Sequence, residues 1–285
     1  MIKHTRSTLA LAGMLVLMSA CSAGVPNLVC VGASTTYLDW LEGTLALSEA
    51  DPIEAPANPG DPADLLAIVQ ERGKLIISTD ADYAPQSYLN PDGTFEGFDI
   101  DVGTEIADRL GVDAEFSAQN WDTITAGSWA GRWDISVGSM TISEDRKPIV
   151  SFTQPYYYTP AQMAAATSAD ITTLDQMPDP LAATTLATDA NCAEAIRDGR
   201  TDFVFWLSSS TTVKEAIDSG IPIVTVGEPV FGEALSVAID KSGPPHGELL
   251  YEIDRIIGEM HDDGTLTQLS NTWFGIDLTQ APPAE

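Results

Sequence analysis

Apolar runs of strand length alternate along this chain with stretches of helical period, and glycines close the helices. "PADLLAIVQERG" starts as a helix and stops at Gly73, and "KLIISTD" follows as a short apolar strand. "FDIDVGTEIADRLG" sets Val102, Ile106 and Leu110 at helical spacing before Gly111. "DAEFSAQ" reads as a strand, "WDTITAGSWAGRW" as a short helix and "DISVGSM" as a buried strand. The second half repeats the pattern. "ATTLAT", "TDFVFWL", "IPIVTVG" and "ALSVAID" are strands, and "DANCAEAIRDG" and "STTVKEAIDSG" are helices. In "ELLYEIDRIIGEMHDDG" the residues Leu249, Leu250, Ile253, Ile256, Ile257 and Met260 share one stripe, which is a core face. Such alternation dictates an α/β fold with largely parallel sheets, since parallel neighbours need a crossover between them.

At 285 residues the chain holds one large domain or two medium ones, and 44% apolar residues suffice for a packed core. Acidic residues outnumber basic ones 42 to 13, for a net charge of −29. That balance argues against nucleic acid and against docking on anionic lipid by charge. The N-terminus, "MIKHTRSTLALAGMLVLMSAC", has a basic start at Lys3 and Arg6 and an apolar stretch too short to span a bilayer. It resembles a bacterial lipoprotein signal over residues 1–20, with Cys21 as the lipidated residue; an ordinary secretory signal is the other reading. Both place the protein outside the cytoplasm. Cys30 and Cys192 remain, and in an oxidising compartment the pair suggests a disulfide.

Four stretches carry a resemblance to a known family. "GKLIISTDADYAP" resembles its first strand and pocket loop, and "GTFEGFDIDVGTEIADRLG" its helix signature. "WDTITAGSWAGRWDISVGSMTISEDRKPIVSFTQPYYYT" resembles its central signature, and "DDGTLTQLSNTWFG" its C-terminal helix. Together they resemble the extracytoplasmic solute-binding proteins, family 3, of amino-acid ABC transporters. The resemblance implies a type II periplasmic-binding-protein-like fold: two lobes, each a mostly parallel sheet flanked by helices, joined by a two-strand hinge and closing on one small ligand. It implies lobe 1 at 66–160, lobe 2 at 161–229, the C-terminal part of lobe 1 at 230–277 and a tail at 278–285. It also implies delivery of an amino acid or related small polar solute to ABC permease subunits, with lipid on Cys21 holding the carrier at the membrane. The protein is expected to act as a monomer without a cofactor.

The residues agree with that expectation. An α-carboxylate desolvated on closure needs a bidentate cation and fixed donors, and Arg146 in "SMTISEDR" is the candidate cation. A surface pair with Glu144 or Asp145 is its alternative role. Ser139 and Thr141 would add hydroxyl and backbone donors to the same carboxylate. Tyr83 and Trp121 match family positions that wall the ligand, unless they are plain core. Asp80 either accepts from an ammonium or caps a turn. One departure stands out. Relatives that bind standard amino acids usually hold the α-ammonium with an aspartate at the position occupied here by Leu207, within "GRTDFVFWLSSS". Ser208 or Trp206 is the candidate substitute.

The second lobe should begin with a strand, an anion-binding turn of GST or GTT type and a helix, whose N-terminal amides hold the ligand carboxylate. The expected place, between "ITTLDQMPDP" and "LAATTLATDANCAEAI", is short by about that much. "LVCVGASTTYLDWLEGTL", residues 28–45, resembles the missing piece and stands instead at the front of the chain. We read it as a transposed element that folds into lobe 2, with Ser34 and Thr35 completing the carboxylate site and 46–65 serving as a linker to lobe 1. This placement would bring Cys30 and Cys192 together, whereas Cα atoms more than about 7 Å apart would exclude the bridge. A cyclohexadienyl- or arogenate-dehydratase-like enzyme on the same fold is one alternative function. It would need an acid or base in the cleft, and His4, His246 and His261 are poorly placed to supply one. A sensor module is the other alternative, although the sequence has no signalling domain. Neither a nucleophile motif nor a metal-ligand cluster is present in the sequence.

Overall fold

The computed structural model describes residues 26–32, 35–57, 59–199 and 202–281. Cys21, the signal segment and Ser34 lie outside the described residues. One sheet of nine strands runs through the molecule. Across one half its order is Asp113–Ala118, Lys74–Thr79, Ile135–Thr141 and Phe231–Asp240. It continues through Val150–Ala166, Phe205–Ser209, Leu28–Val31 and Ala182–Thr185, and Ile223–Thr225 pairs with the far end of Val150–Ala166. The seventeen residues of Val150–Ala166 pair antiparallel with Phe231–Asp240, from Val150 opposite Asp240 to Ala161 opposite Phe231. At ~3.4 Å per residue such a strand reaches through both halves, which is how two backbone segments link two lobes. A small sheet of Asp82–Tyr83, Ser87–Leu89 and Phe95–Glu96 lies apart from it.

Helices cover the first half where the period predicts them. Phe98–Leu110 ends on Gly111 at φ 76°, a left-handed cap that costs glycine nothing. Gly247–Asp262 buries Leu249, Ile253, Ile256, Ile257 and Met260 against that helix and the sheet. The stretch from Trp121 is helical only to Thr125. Beyond it Gly127, Ser128, Ala130 and Gly131 all take positive φ, so a winding turn replaces the helix expected through Trp133. Residues 46–65 run extended rather than free: Leu47 bridges Ser143, and Glu248 accepts from the backbone N–H groups of Gly60 and Asp61. Asp64 caps Leu65–Arg72 and also accepts from the backbone of Glu248 and Leu249, which anchors the segment's end. Among the described residues no helix is long and apolar enough to cross a membrane.

The strand Leu28–Val31 is inserted between Phe205–Ser209 and Ala182–Thr185, parallel to both. Cys30 faces Trp206 on one side and Thr184 on the other. Its sulfur bonds Cys192 on the helix Asp189–Asp198, with Cα atoms 5.8 Å apart and 162 residues between them in sequence. The bridge lies within a core of Ala164, Ala193, Ile196, Trp206 and Val213. On the other face Val29, Val31 and Tyr37 pack with Met163, Phe205 and Leu207. Closing so long a loop strongly restricts the unfolded chain. Replacing both cysteines by alanine should therefore lower the unfolding free energy by about 2–5 kcal/mol, read as a lower denaturant midpoint under oxidising conditions; an unchanged midpoint would show that the bridge does not form.

Candidate ligand-binding cleft

A cleft opens where the two halves of the sheet meet. Asp80, Asp82 and Tyr83 enter it from the loop after Lys74–Thr79, and Trp121 from the first turn of a helix. Gly138, Ser139 and Thr141 reach it from the end of Ile135–Thr141. Opposite stand Tyr37 of the helix Thr35–Glu42, Thr188 and Asp189 at the start of Asp189–Asp198, and Glu233 of Phe231–Asp240. The halves also touch directly. Gln86 Nε2 donates to Thr211 Oγ1 at 2.7 Å and to Ser209 Oγ at 3.3 Å.

Tyr83, Trp121, Asp80, Ser139 and Thr141 thus share one cavity, as the sequence predicts. Asp80 accepts from the backbone N–H of Asp82 at 3.0 Å, which is the turn role, and it also lines the cleft. Arg146 is buried beside the cleft rather than in its lining. Its guanidinium carbon lies 5.7 Å from the centroid of the Trp121 ring, and Nη1 donates to the Thr141 carbonyl at 2.9 Å. Burial lowers the Arg146 pKa, and the negative charges of Glu233, Asp39 and Asp145 oppose that shift. Glu144 pairs with Lys147, and Arg146 is 5% exposed, so the arginine is a buried group rather than a surface one.

Two expectations need correction. The hydroxyls of Ser139 and Thr141 already donate to carboxylates rather than standing ready for an anion. Ser139 Oγ donates to Asp99 Oδ2 at 2.8 Å, and Thr141 Oγ1 donates to Glu233 at 2.6 Å. The Ser139 backbone N–H is taken by the Tyr156 hydroxyl at 2.8 Å, with Ser139 held at φ 54°. Trp206 and Ser208 are fully buried in their strand and do not line the cleft. The pairing register explains this: both lie inside the sheet, flanked by Leu28–Val31 and Val150–Ala166. Thr35 begins its helix, next to the undescribed Ser34.

Sequence reasoning missed two carboxylates. Glu233 is 3% exposed and accepts from Tyr37 Oη at 2.8 Å as well as from Thr141. Burial raises its pKa, while these hydrogen bonds and Arg146 pull it back. A lone acid in the largely apolar run "FGEALSVAI" was its signal. Asp189 is buried at the helix start, with Oδ1 accepting from Trp206 Nε1 at 2.9 Å. Desolvation pushes its pKa to about 6, against the pull of Ser208 and Trp206. In sequence it looks like an ordinary acidic residue opening a helix.

Residues 75–276 match the model of the bacterial extracellular solute-binding proteins, family 3. The chain belongs to that family. It is similar to the L-cystine-binding protein TcyJ of Escherichia coli (strain K12), 28% identical over 240 residues, 76% of this chain and 88% of the relative. It is also similar to the L-cystine-binding protein TcyA of Bacillus subtilis (strain 168), 26% identical over 242 residues, 76% of this chain and 87% of the relative. Among solved structures, an ancestral arginine-binding protein bound to arginine superposes with a TM-score of 0.65 at 25% identity, covering 72% of this chain and all but 1% of that one, since 99% of it is matched. A histidine-bound substrate-binding protein of an ABC uptake transporter from Streptococcus pneumoniae shares the fold, with a TM-score of 0.69 at 18% identity over 78% of this chain and 100% of that one. Family 3 is a family of extracellular solute-binding proteins, and this chain is a solute-binding protein whose cleft is its candidate ligand site.

Beneath the cleft, burial lifts the pKa of Asp99 to about 7, although Tyr156 and Ser139 donate to it. Asp99 and Asp189 both keep protons in the folded state that the unfolded chain has released above pH ~4. Stability of the ligand-free protein should therefore fall as pH rises from ~4 to ~7, by up to about 1.4 kcal/mol per unit for each group. Denaturant titrations at pH 5 and 7 should show a smaller fall in Asp99→Asn than in wild type; equal falls would mean that Asp99 ionises freely when folded.

Proposed function

We propose that the protein is the substrate-binding component of an ABC importer and carries an α-amino acid or a closely related small zwitterion to its permease. The observation that carries this reading is the division of charge around one aromatic-walled cleft. Four carboxylates line it, Asp80, Asp82, Asp189 and Glu233, while Arg146 is buried alongside under Trp121 and within the field of Glu233. A zwitterion satisfies both sides at once, its ammonium among the carboxylates and its carboxylate toward Arg146 and the first turn of Thr35–Glu42. Tyr83 and Trp121 supply apolar area around its body. The relatives named above are binding proteins, for cystine in two cases and with arginine or histidine bound in the others.

In this reading residues 28–45 are a transposed element of lobe 2. The support is the pairing of Leu28–Val31 with strands on either side and the Cys30–Cys192 bridge. The remaining boundaries are lobe 1 at 66–160 and 230–277, lobe 2 at 161–229, and a linker at 46–65. Lipid on Cys21 would keep the carrier near its permease, and a monomer suffices because one chain contributes both walls of the cleft.

A thermal-shift screen of amino acids, amines and small carboxylates should find stabilisation by one or a few amino acids. Arg146→Lys should keep the fold, read by circular dichroism, and weaken binding about 10–100-fold through loss of the planar fork. Arg146→Ala should abolish the ligand-induced shift. Unchanged affinity in Arg146→Lys would remove the arginine from the site, and stabilisation by amines or carboxylates alone would overturn the zwitterion.

A further inference from the structure

The four cleft carboxylates are not equivalent. Asp82 is exposed, and Asp80 is engaged in its own turn. Glu233 accepts hydrogen bonds from Tyr37 and Thr141 and feels Arg146. Asp189 is buried to 8% exposure, and among the described residues it has no ion pair. A buried carboxylate with no cation is costly to keep, so something must hold it there. Two neighbours do. Trp206 donates its indole N–H to Oδ1 from a fully buried position. Gly32, directly after the inserted strand, leaves room on the other side: a Cβ there would stand 2.5 Å from Oδ2 and 2.7 Å from the Asp189 backbone nitrogen.

We propose that Asp189, held by Trp206 and admitted by Gly32, is the acceptor for the ligand's ammonium group, in the role that Leu207 cannot fill. The inference rests on the zwitterion reading above. Leu207 pairs with Val31, and Val31 with Thr185, so the three lie in one row across the sheet. Asp189 follows Thr185 by one turn of chain. The acid has thereby moved from one flank of the inserted strand to the other, about two strand spacings or ~10 Å. The ammonium then sits near Tyr83 and Asp80, whose charge is felt by Asp189. Trp206 and Gly32 are positioning residues. Trp206 fills the gap in an unexpected way, since its N–H aims the acceptor and its ring stays away from the ligand.

Asp189 shares the cleft with Asp80, Asp82, Glu233, Tyr37 and Tyr83, and an adjoining pocket with Glu194, Glu215 and one cation, Arg197; the carboxylates outnumber that cation, so ligand affinity should respond to pH chiefly through them. The test is calorimetric titration of the full chain with L-arginine, L-glutamine and L-cystine between pH 5 and 8. With a probe that binds, wild-type affinity should fall about tenfold as pH drops below 6. Asp189→Asn should bind about 10–100-fold more weakly and lose that pH step, whereas Glu233→Gln should keep it. Trp206→Phe should move the midpoint of the step to higher pH, because the lost N–H favoured the ionised carboxylate. Gly32→Ala should weaken binding in the same direction as Asp189→Asn. Asp189→Asn binding within twofold of wild type, with the pH step intact, would overturn the assignment while leaving the zwitterion reading standing. Absence of binding by all three probes would overturn both. Should Asp189→Asn fail to fold, an unmoved midpoint in Trp206→Phe would overturn the proposal by itself.

Discussion

The site depends on one set of backbone hydrogen bonds, the parallel pairing of Leu28–Val31 with Phe205–Ser209 and Ala182–Thr185. Remove that strand and Phe205–Ser209 would have an unpaired edge and the edge strand Ala182–Thr185 no strand partner, with backbone groups that must find others. The pairing sets the rest of this half in order. It brings Cys30 within bridging distance of Cys192, carries Tyr37 to Glu233, and ends on Gly32 against Asp189. Three contacts with ligand-site residues or their helix thus originate in eighteen residues at the front of the described chain. The disulfide adds covalent insurance to a contact whose partners are otherwise far apart in sequence.

A second constraint is the handling of negative charge. The chain is acidic throughout, yet its buried carboxylates are individually held. Asp99 accepts hydrogen bonds from Ser139 and Tyr156, Glu233 from Tyr37 and Thr141, and Asp189 from Trp206. Each is a hydrogen-bonded acid at or just beneath the cleft, and burial raises the pKa of all three. Hydrogen bonds from neutral donors orient such groups without neutralising them, so the two that line the cleft, Asp189 and Glu233, can be matched by an incoming cation once ionised. A ligand ammonium would then gain from charges that the empty protein finds costly. That is a direct physical route from fold to affinity.

Much of the fold was legible because strand and helix periods are local. The helix Phe98–Leu110 and its Gly111 stop follow from spacing alone, and so do the core faces of Gly247–Asp262. The turn after Thr125 was not legible as such, since "AGSWAGRW" has helical composition but takes four positive φ values in a row of eight residues. The cleft was half legible. Tyr83, Trp121 and Asp80 could be placed from the motifs around them. Asp189 and Glu233 could not, because a carboxylate opening a helix and a carboxylate in a strand look ordinary until partners from distant segments surround them. Trp206 and Ser208 were assigned to the ligand from strand position; the structure puts them inside the sheet.

By itself the sequence determined the α/β class, the family, the helix stops and the cysteine pair, since each depends on residue type, on short spacings or on a match along the chain. The segment at 28–45 was readable as a strand, a turn and a helix for the same reason. Only the tertiary structure decided which strands accept it, which carboxylates are stripped of water and which donors aim them. Burial and hydrogen bonding belong to neighbours in space, and Gly32, Asp189 and Trp206 become neighbours only when three strands and a helix have packed.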